Sequence, residues 1–422
     1  TSADTAARLT RTAVTLALGG RPGPVHLELP KDTALVESKV EAGKTPSFAS
    51  TRETARVGPN PALVARACDL LLSAKRPVIL AGGGVLRSCA SEELLALAAM
   101  LPVPIVTTNK GRSCIPEDHP LCVGPMGQYG TPFAGEEVKQ ADVLLGLGCR
   151  FSDVTTRDWS LISPGTKIIH VDIDPKELGR QFEEEISMVG DVKLFLQAAI
   201  TDLKRREGVK AFNGPLAEHP RIAAMIEGRE AEREAYFQPS NHAKVPGKPH
   251  LLVKEISQML KRDAIVTVGA GLYARYAGRL KVFEPRSYLK SLGLGALGWA
   301  FPAALGAKLG QPSRQVITLM GDGDFLTVMQ DLETAVRENI AVTIVVFNDF
   351  GHGSIRELQR RDFGGREVGS DSRDVPFGDF ARLMGALGTR INKPEEVRPA
   401  LGPMLDSGKP ALLEIAIDPK GA

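Results

Sequence analysis

Residues 315–349, QVITLMGDGDFLTVMQDLETAVRENIAVTIVVFND, hold two apolar runs of strand length separated by one helix-length segment. Each run ends on a carboxylate, Asp322 after QVITLMG and Asp349 after AVTIVVFN. The segment FLTVMQDLETAVREN predicts a crossover helix of about four turns. Phe325, Val328, Met329, Leu332 and Val336 would share one face of it. A strand–helix–strand unit makes a parallel pair, whose strands end on the same sheet edge. Asp322 and Asp349 are therefore expected side by side beyond adjacent strands, where open α/β sheets bind ligands.

The same alternation runs through much of the chain. RPVILAGGG, LPVPIVTTNKG, ADVLLGLGCRFSD and TKIIHVDIDP read as strands of a first parallel sheet. AIVTVG, QVITLMGDG, AVTIVVFND and PALLEIAI read as strands of a second. The fold class is α/β, with two doubly wound parallel-sheet domains and a remnant of a third. The divisions expected are a remnant at 1–35, a linker at 36–60, a central Rossmann-like domain at 61–203, a linker helix at 204–249 and a C-terminal domain at 250–422. In the remnant, TAARLTRTAVTLALGG predicts an amphipathic helix and GPVHLELP a strand that needs sheet neighbours.

Bulk properties exclude several classes. Lys and Arg number 52 against 50 Asp and Glu, so no nucleic-acid or acidic-membrane partner is implied. Five cysteines without a CxxC pair suit a reducing compartment. No apolar stretch nears the roughly 20 residues of a membrane helix. TSADTAARLTRTA lacks a basic start and an apolar signal core, which makes a cytoplasmic protein the default expectation.

Two carboxylates in one crevice repel each other and are poorly solvated, so a cation between them is expected. Mg²⁺ accepts carboxylate and carbonyl oxygens and usually shares its coordination with phosphates. Gly321 and Gly323 would let the backbone approach such a phosphate, and a helix starting near Phe325 would direct free N–H groups at it. Asp-Gly and Asn-Asp alone are ordinary turn dipeptides. Their order around a strand and a helix is what favours a metal–diphosphate site.

GDGD…FND resembles the thiamin diphosphate motif, and nearly all of the chain resembles the acetolactate (acetohydroxyacid) synthase family. The resemblance implies thiamin diphosphate and Mg²⁺ as cofactors, with Asp322, Asp349 and the Gly351 carbonyl as metal ligands. It places Val268, Gly269, Ala270 and Gly271 around the diphosphate, together with Gly321, Gly323 and Asp324, and Ile355 against the cofactor. Asp324 stands where the family has a small or hydroxylic residue, and an acid there has to point away, for instance to cap the helix. In SLGLGALGWAFPAALGA, Leu297 would force the cofactor's two rings into a V, and the Gly295 carbonyl would accept from the aminopyrimidine. Close packing through small residues is the competing account of that segment. His352 would be a proton donor or a loop-packing residue.

AGGGV (Gly82, Gly83, Gly84), GCRFSD with Arg150, and HVDIDP with Asp172 and Asp174 resemble the positions that hold FAD in these synthases. Related decarboxylases keep this domain and bind ADP or nothing, so FAD, ADP and an empty domain stay open. Val154 stands where an arginine is usual. The activating glutamate of the family lies in a pyrimidine-binding domain, of which GRPGPVHLELPKD resembles the closing strand; Glu28 does not match it. A homo-oligomer or a partner chain supplying that domain is the corresponding expectation, with this chain inactive alone. The implied activity is decarboxylation and carboligation of a 2-keto acid. The alternatives are a 2-keto acid decarboxylase of the benzoylformate or indolepyruvate type and a catalytically silent cofactor-binding subunit. Ser354 and Leu358 replace residues usual in biosynthetic synthases, whereas Ile355 matches them.

Overall fold

The computed structural model describes residues 3–37, 56–209, 211–238 and 249–417. Among the described residues twelve strands form two six-stranded sheets, and every strand pair in them is parallel. The first holds β1 (Pro77–Ala81), β2 (Ile105–Thr107), β3 (Cys122–Pro125), β4 (Val143–Leu147), β5 (Lys167–Asp172) and β6 (Ile186–Val189), in the order 3-2-1-4-5-6. The second holds β7 (Ile265–Val268), β8 (Tyr288–Lys290), β9 (Val316–Gly321), β10 (Thr343–Asn348), β11 (Leu387–Ile391) and β12 (Ala411–Ala416), in the order 11-12-10-9-7-8. β1, β4, β9 and β10 are buried along their whole length, as sheets covered on both faces require. Strand order reverses between β1 and β4 and between β7 and β9, and both reversals open a crevice at the carboxyl edge.

The two sheets are joined by charge as much as by apolar packing. Arg112, 1% exposed, donates to the carbonyls of Ala277 and Leu280, pairs with Glu117 at 3.0 Å, and lies 4.4 Å over the Tyr288 ring. A fully buried guanidinium is tolerated because nearly every N–H has an acceptor. The helix Pro220–Tyr236, within the expected linker, buries Ile222 and Met225 against the first unit. Its Glu232 accepts from Arg279 at 2.7 Å, and Arg279 stacks 4.0 Å over Tyr236.

Two expectations need correction. GPVHLELP forms no strand: residues 22–30 carry no regular structure and are exposed, and among the described residues no strand pairs with them to take their N–H and C=O groups. The preceding helix, Ala6–Leu18, buries no residue. The crossover between β9 and β10 is not a four-turn helix but three short pieces, Asp322–Phe325, Met329–Asp331 and Leu332–Arg337. The Thr327 hydroxyl donates to the Asp324 carbonyl at 2.7 Å, and Val328 leaves helical backbone at φ −141°, ψ 12°. β-Branched residues and a side chain competing for a helix carbonyl both favour such a break. The expected apolar face survives it, since Phe325 and Leu332 are fully buried and Val328, Met329 and Val336 pack beside them. Residues 38–55 of the expected 36–60 linker, and 239–248 of the next, lie outside the described residues.

Candidate active site

β9 and β10 are neighbours in register, Phe347 opposite Gly321, so Asp322 and Asp349 emerge together. Asp322 is 2% exposed. Its Oδ2 accepts the Gly351 N–H at 2.7 Å and the Ser372 hydroxyl at 3.4 Å, while its Oδ1 is buried without a hydrogen-bond partner among the described residues. Burial, and then the charge of Asp322, push the Asp349 carboxyl up to about 7; burial raises Asp322 as well. Two acids held together against their own repulsion, one with an unsatisfied oxygen, fit a divalent cation between them. The Gly351 carbonyl faces the same space, 3.6 Å from where a Cβ at Gly323 would stand. Among the described residues no three His, Cys, Asp or Glu side chains cluster around one point. Mg²⁺ needs no such cluster where phosphate and water complete its shell.

The loop after β10 is fixed by a residue the sequence does not advertise. Arg356, 2% exposed, donates to the carbonyls of Asp349 and Phe350 at 3.3 Å each and pairs with Asp371 at 2.9 Å. One of its nitrogens lies 3.7 Å from Asp349 Oδ2. Phe350 is held at φ +59°, a left-handed conformation that costs energy for a bulky residue. Gly353 is required by crowding, since a Cβ there would sit 1.9 Å from Asp349 Oδ2.

A cavity of about 340 Å³ opens over this edge. Ala270, Gly271, Gly321, Asp322, Gly323 and Asp324 line one side of it, and Asp349, Gly351, His352 and Ile355 another. Leu297, 45% exposed, borders it from the turn after β8. The His352 ring lies across Gly323, 2.7 Å from where a Cβ would stand. Val268 and Gly269 do not line the cavity. Val268 is core, and Gly269 lies behind the wall, its N–H bonded to Leu319 and its missing Cβ leaving room for Asp324. The Asp324 carboxylate is committed to the protein: Oδ2 accepts from the Tyr273 hydroxyl at 2.7 Å and Oδ1 from the Gly298 N–H at 2.5 Å. Its carboxylate is thus spent on the Tyr273 hydroxyl and the Gly298 N–H and does not cap the Asp322–Phe325 turn.

A second cavity, about 950 Å³, lies at the carboxyl edge of the first sheet and extends to the turn after β8. Gly83, Gly84, Arg150 and Asp172 line it, as does Gly295, which the sequence reading grouped with Leu297. Gly82 and Asp174 do not. Gly82 is pressed against β4's exit, where a Cβ would meet the Gly148 carbonyl oxygen at 2.1 Å, and Gly84 similarly abuts Gly148 Cα. Asp174 accepts from Arg21 at 3.1 Å, and Arg21 also reaches Glu177 at 2.7 Å. Burial raises the Asp172 carboxyl. Burial, and then Arg150, Arg87 and Arg21, lower Lys110. Lys290, which sequence reading also missed, is brought down to about 7, chiefly by burial. Its ammonium lies 4.2 Å over Tyr129, and Tyr129 and Ala270 border both cavities.

Two parallel α/β sheets, with paired acids at the exits of β9 and β10 beside the reversal between β7 and β9, suit a thiamine pyrophosphate enzyme, and sequence comparison assigns the class. The central-domain profile of the thiamine pyrophosphate enzymes matches residues 64–199, and their C-terminal TPP-binding-domain profile matches 269–415. A probable acetolactate synthase large subunit of Methanococcus aeolicus is 36% identical, over 98% of this chain and 70% of its own length. The probable large subunit of Methanocaldococcus jannaschii is also 36% identical, over 98% and 69%. The acetolactate synthase isozyme 2 large subunit of Escherichia coli K12 is 30% identical, over 97% and 71%. The chain belongs to the acetolactate synthase large-subunit family.

Proposed function

We propose that this chain carries the diphosphate- and metal-binding half of a thiamin diphosphate- and Mg²⁺-dependent enzyme that decarboxylates a 2-keto acid and ligates the product to a second carbonyl. The observation that carries the reading is the Asp322–Asp349 pair, buried, mutually repelling and with one oxygen unsatisfied. In this reading Asp322, Asp349 and the Gly351 carbonyl hold Mg²⁺, and Arg356 keeps their loop in place. Ala270, Gly271, Gly321 and Gly323 give the diphosphate backbone to lie against. Leu297 supports the bend between the cofactor's rings, and His352 and Ile355 form the rim where substrate would enter. Thiamin diphosphate, when bound, supplies an acidic ring carbon and an electron sink for decarboxylation. Ile355, 49% exposed, makes its own part of the rim apolar, as in the carboligating relatives it resembles, and leaves His352 beside it as the candidate proton donor.

The larger cavity is the proposed place of a nucleotide-type cofactor such as FAD. Arg150 and Lys110 supply positive charge, and Asp172 is a candidate hydrogen-bond acceptor.

The test is direct. Titration calorimetry of the chain with thiamin diphosphate should show binding that requires Mg²⁺. Pyruvate turnover is then followed with the chain alone and with an added pyrimidine-binding domain. Acetolactate is the expected product. Acetaldehyde without acetolactate would assign a decarboxylase, and binding without turnover under either condition a silent subunit.

A further inference from the structure

Leu297 stands on a tight turn between Gly295 and Gly298, both in left-handed backbone at φ +71° and +79°. Its outer side is open, with Leu294 97% and Leu297 45% exposed, while the Ser291 hydroxyl donates to the Ala296 carbonyl at 3.1 Å and Gly298 is buried against Thr327 and Val328. One restraint reaches it from the GDGD segment. Asp324 Oδ1 accepts the Gly298 N–H at 2.5 Å, and a hydrogen bond to a carboxylate is about twice as strong as a neutral one. The acid is itself fixed, since its other oxygen accepts from the Tyr273 hydroxyl at 2.7 Å. Tyr273 in turn stacks on Phe347 of β10, ring centroids 5.8 Å apart and planes 9° apart. Both residues are buried, Asp324 3% and Tyr273 5% exposed. Gly269 leaves the space they occupy: a Cβ there would lie 1.9 Å from Asp324 Oδ2 and 2.6 Å from the Tyr273 hydroxyl.

We propose that Asp324 is a positioning residue for Leu297, locking the Gly298 backbone so that the leucine is presented to the cavity at a fixed height. This deepens the functional reading and rests on it, because it assumes that Leu297 supports the cofactor's rings. The Asp322 and Asp324 carboxylates, two residues apart, then divide the labour. Asp322 turns to the metal and diphosphate, and Asp324 turns the opposite way to hold the turn beneath the rings.

The division predicts a selective loss. Trp299 adjoins the turn and is one of two tryptophans, so a Trp159→Phe background leaves it as the sole indole reporter. In that background Asp324→Ala should weaken thiamin diphosphate binding in Mg²⁺ about tenfold, the worth of one charged hydrogen bond. Binding of Mg²⁺-pyrophosphate, which has no rings, should change less than about twofold, within ordinary context variation. Leu297→Ala should give the same selectivity, and the double variant should be no weaker than Leu297→Ala alone, because Asp324 acts through it. Acrylamide should quench Trp299 more readily in ligand-free Asp324→Ala than in the parent.

Equal loss for both ligands, or full additivity in the double variant, would overturn the proposal. So would unchanged Trp299 quenching. If Asp324→Ala does not fold, Asp324→Asn keeps an acceptor for Gly298 without the charge and should show the same selectivity at smaller amplitude; its absence there counts equally against the role. Failure of the parent to bind either ligand would overturn the functional reading instead, and the quenching comparison judges the turn without any ligand.

Discussion

Two crevices in this chain look alike in sequence and differ in what their residues do. Both lie at a reversal of strand order in a parallel sheet, and both join glycine turns to acids. At the first sheet, Gly82 and Gly84 let β1's exit pack against Gly148, and Asp174 is neutralised by Arg21. At the second, the acids of β9 and β10 are set against each other, and Asp322 keeps a buried oxygen without a hydrogen-bond partner among the described residues. Glycine after a strand thus has two physical uses, close packing and access. What distinguishes the second edge is two buried acids set beside each other, with Arg356 3.7 Å from Asp349 as the nearby cation.

The comparison can be broken by substitution. Gly82→Ala should be the most damaging change, costing about 3 kcal/mol or more of stability through backbone overlap, read from a denaturant midpoint. A mild effect would show that Gly82 is not held by packing against Gly148. Asp322→Ala should leave the fold intact and weaken Mg²⁺-dependent thiamin diphosphate binding about a hundredfold, near 2.7 kcal/mol, as measured by calorimetry. Arg356→Lys should cost about tenfold in Mg²⁺ affinity, since an ammonium cannot reproduce the fork that holds two carbonyls and Asp371.

The acid pair also predicts a pH signature. With the Asp349 carboxyl near 7 in the folded protein and near 3.8 unfolded, the native state binds the extra proton between those values. Stability of the metal-free chain should therefore fall as pH rises from about 4 to about 7, by at most about 1.4 kcal/mol per unit. Asp349→Asn should flatten that slope, and Mg²⁺ should raise the melting temperature more at pH 7.5 than at pH 5.5. Melting curves with and without chelator decide it. The smallest effect expected is that of Asp174→Asn, within about 0.5 kcal/mol, because Arg21 is largely solvated and such surface pairs contribute little. A larger loss would mean that the Arg21 contact organises the first edge.

Much of the second edge was legible because its signals are local. Apolar runs place the strands, a helix-length spacer makes them parallel, and parallel strands bring Asp322 and Asp349 to one edge wherever the rest of the chain goes. The broken crossover was less legible, since Thr327 and Val328 interrupt an apolar period that persists through the break. GPVHLELP has strand composition and no strand, because a strand is a property of its neighbours.

Sequence alone determined the two parallel sheets and the meeting of the two acids, both consequences of short-range periodicity and spacing, and its motifs carried the resemblance to the family. Only the tertiary structure decided that Arg356 clamps the loop after β10, that Asp324 turns toward Gly298, and that Gly82 serves packing and not access. Each of those outcomes depends on where partners distant in the chain come to lie, and burial and hydrogen bonding respond to distances in space that spacing along the chain does not encode.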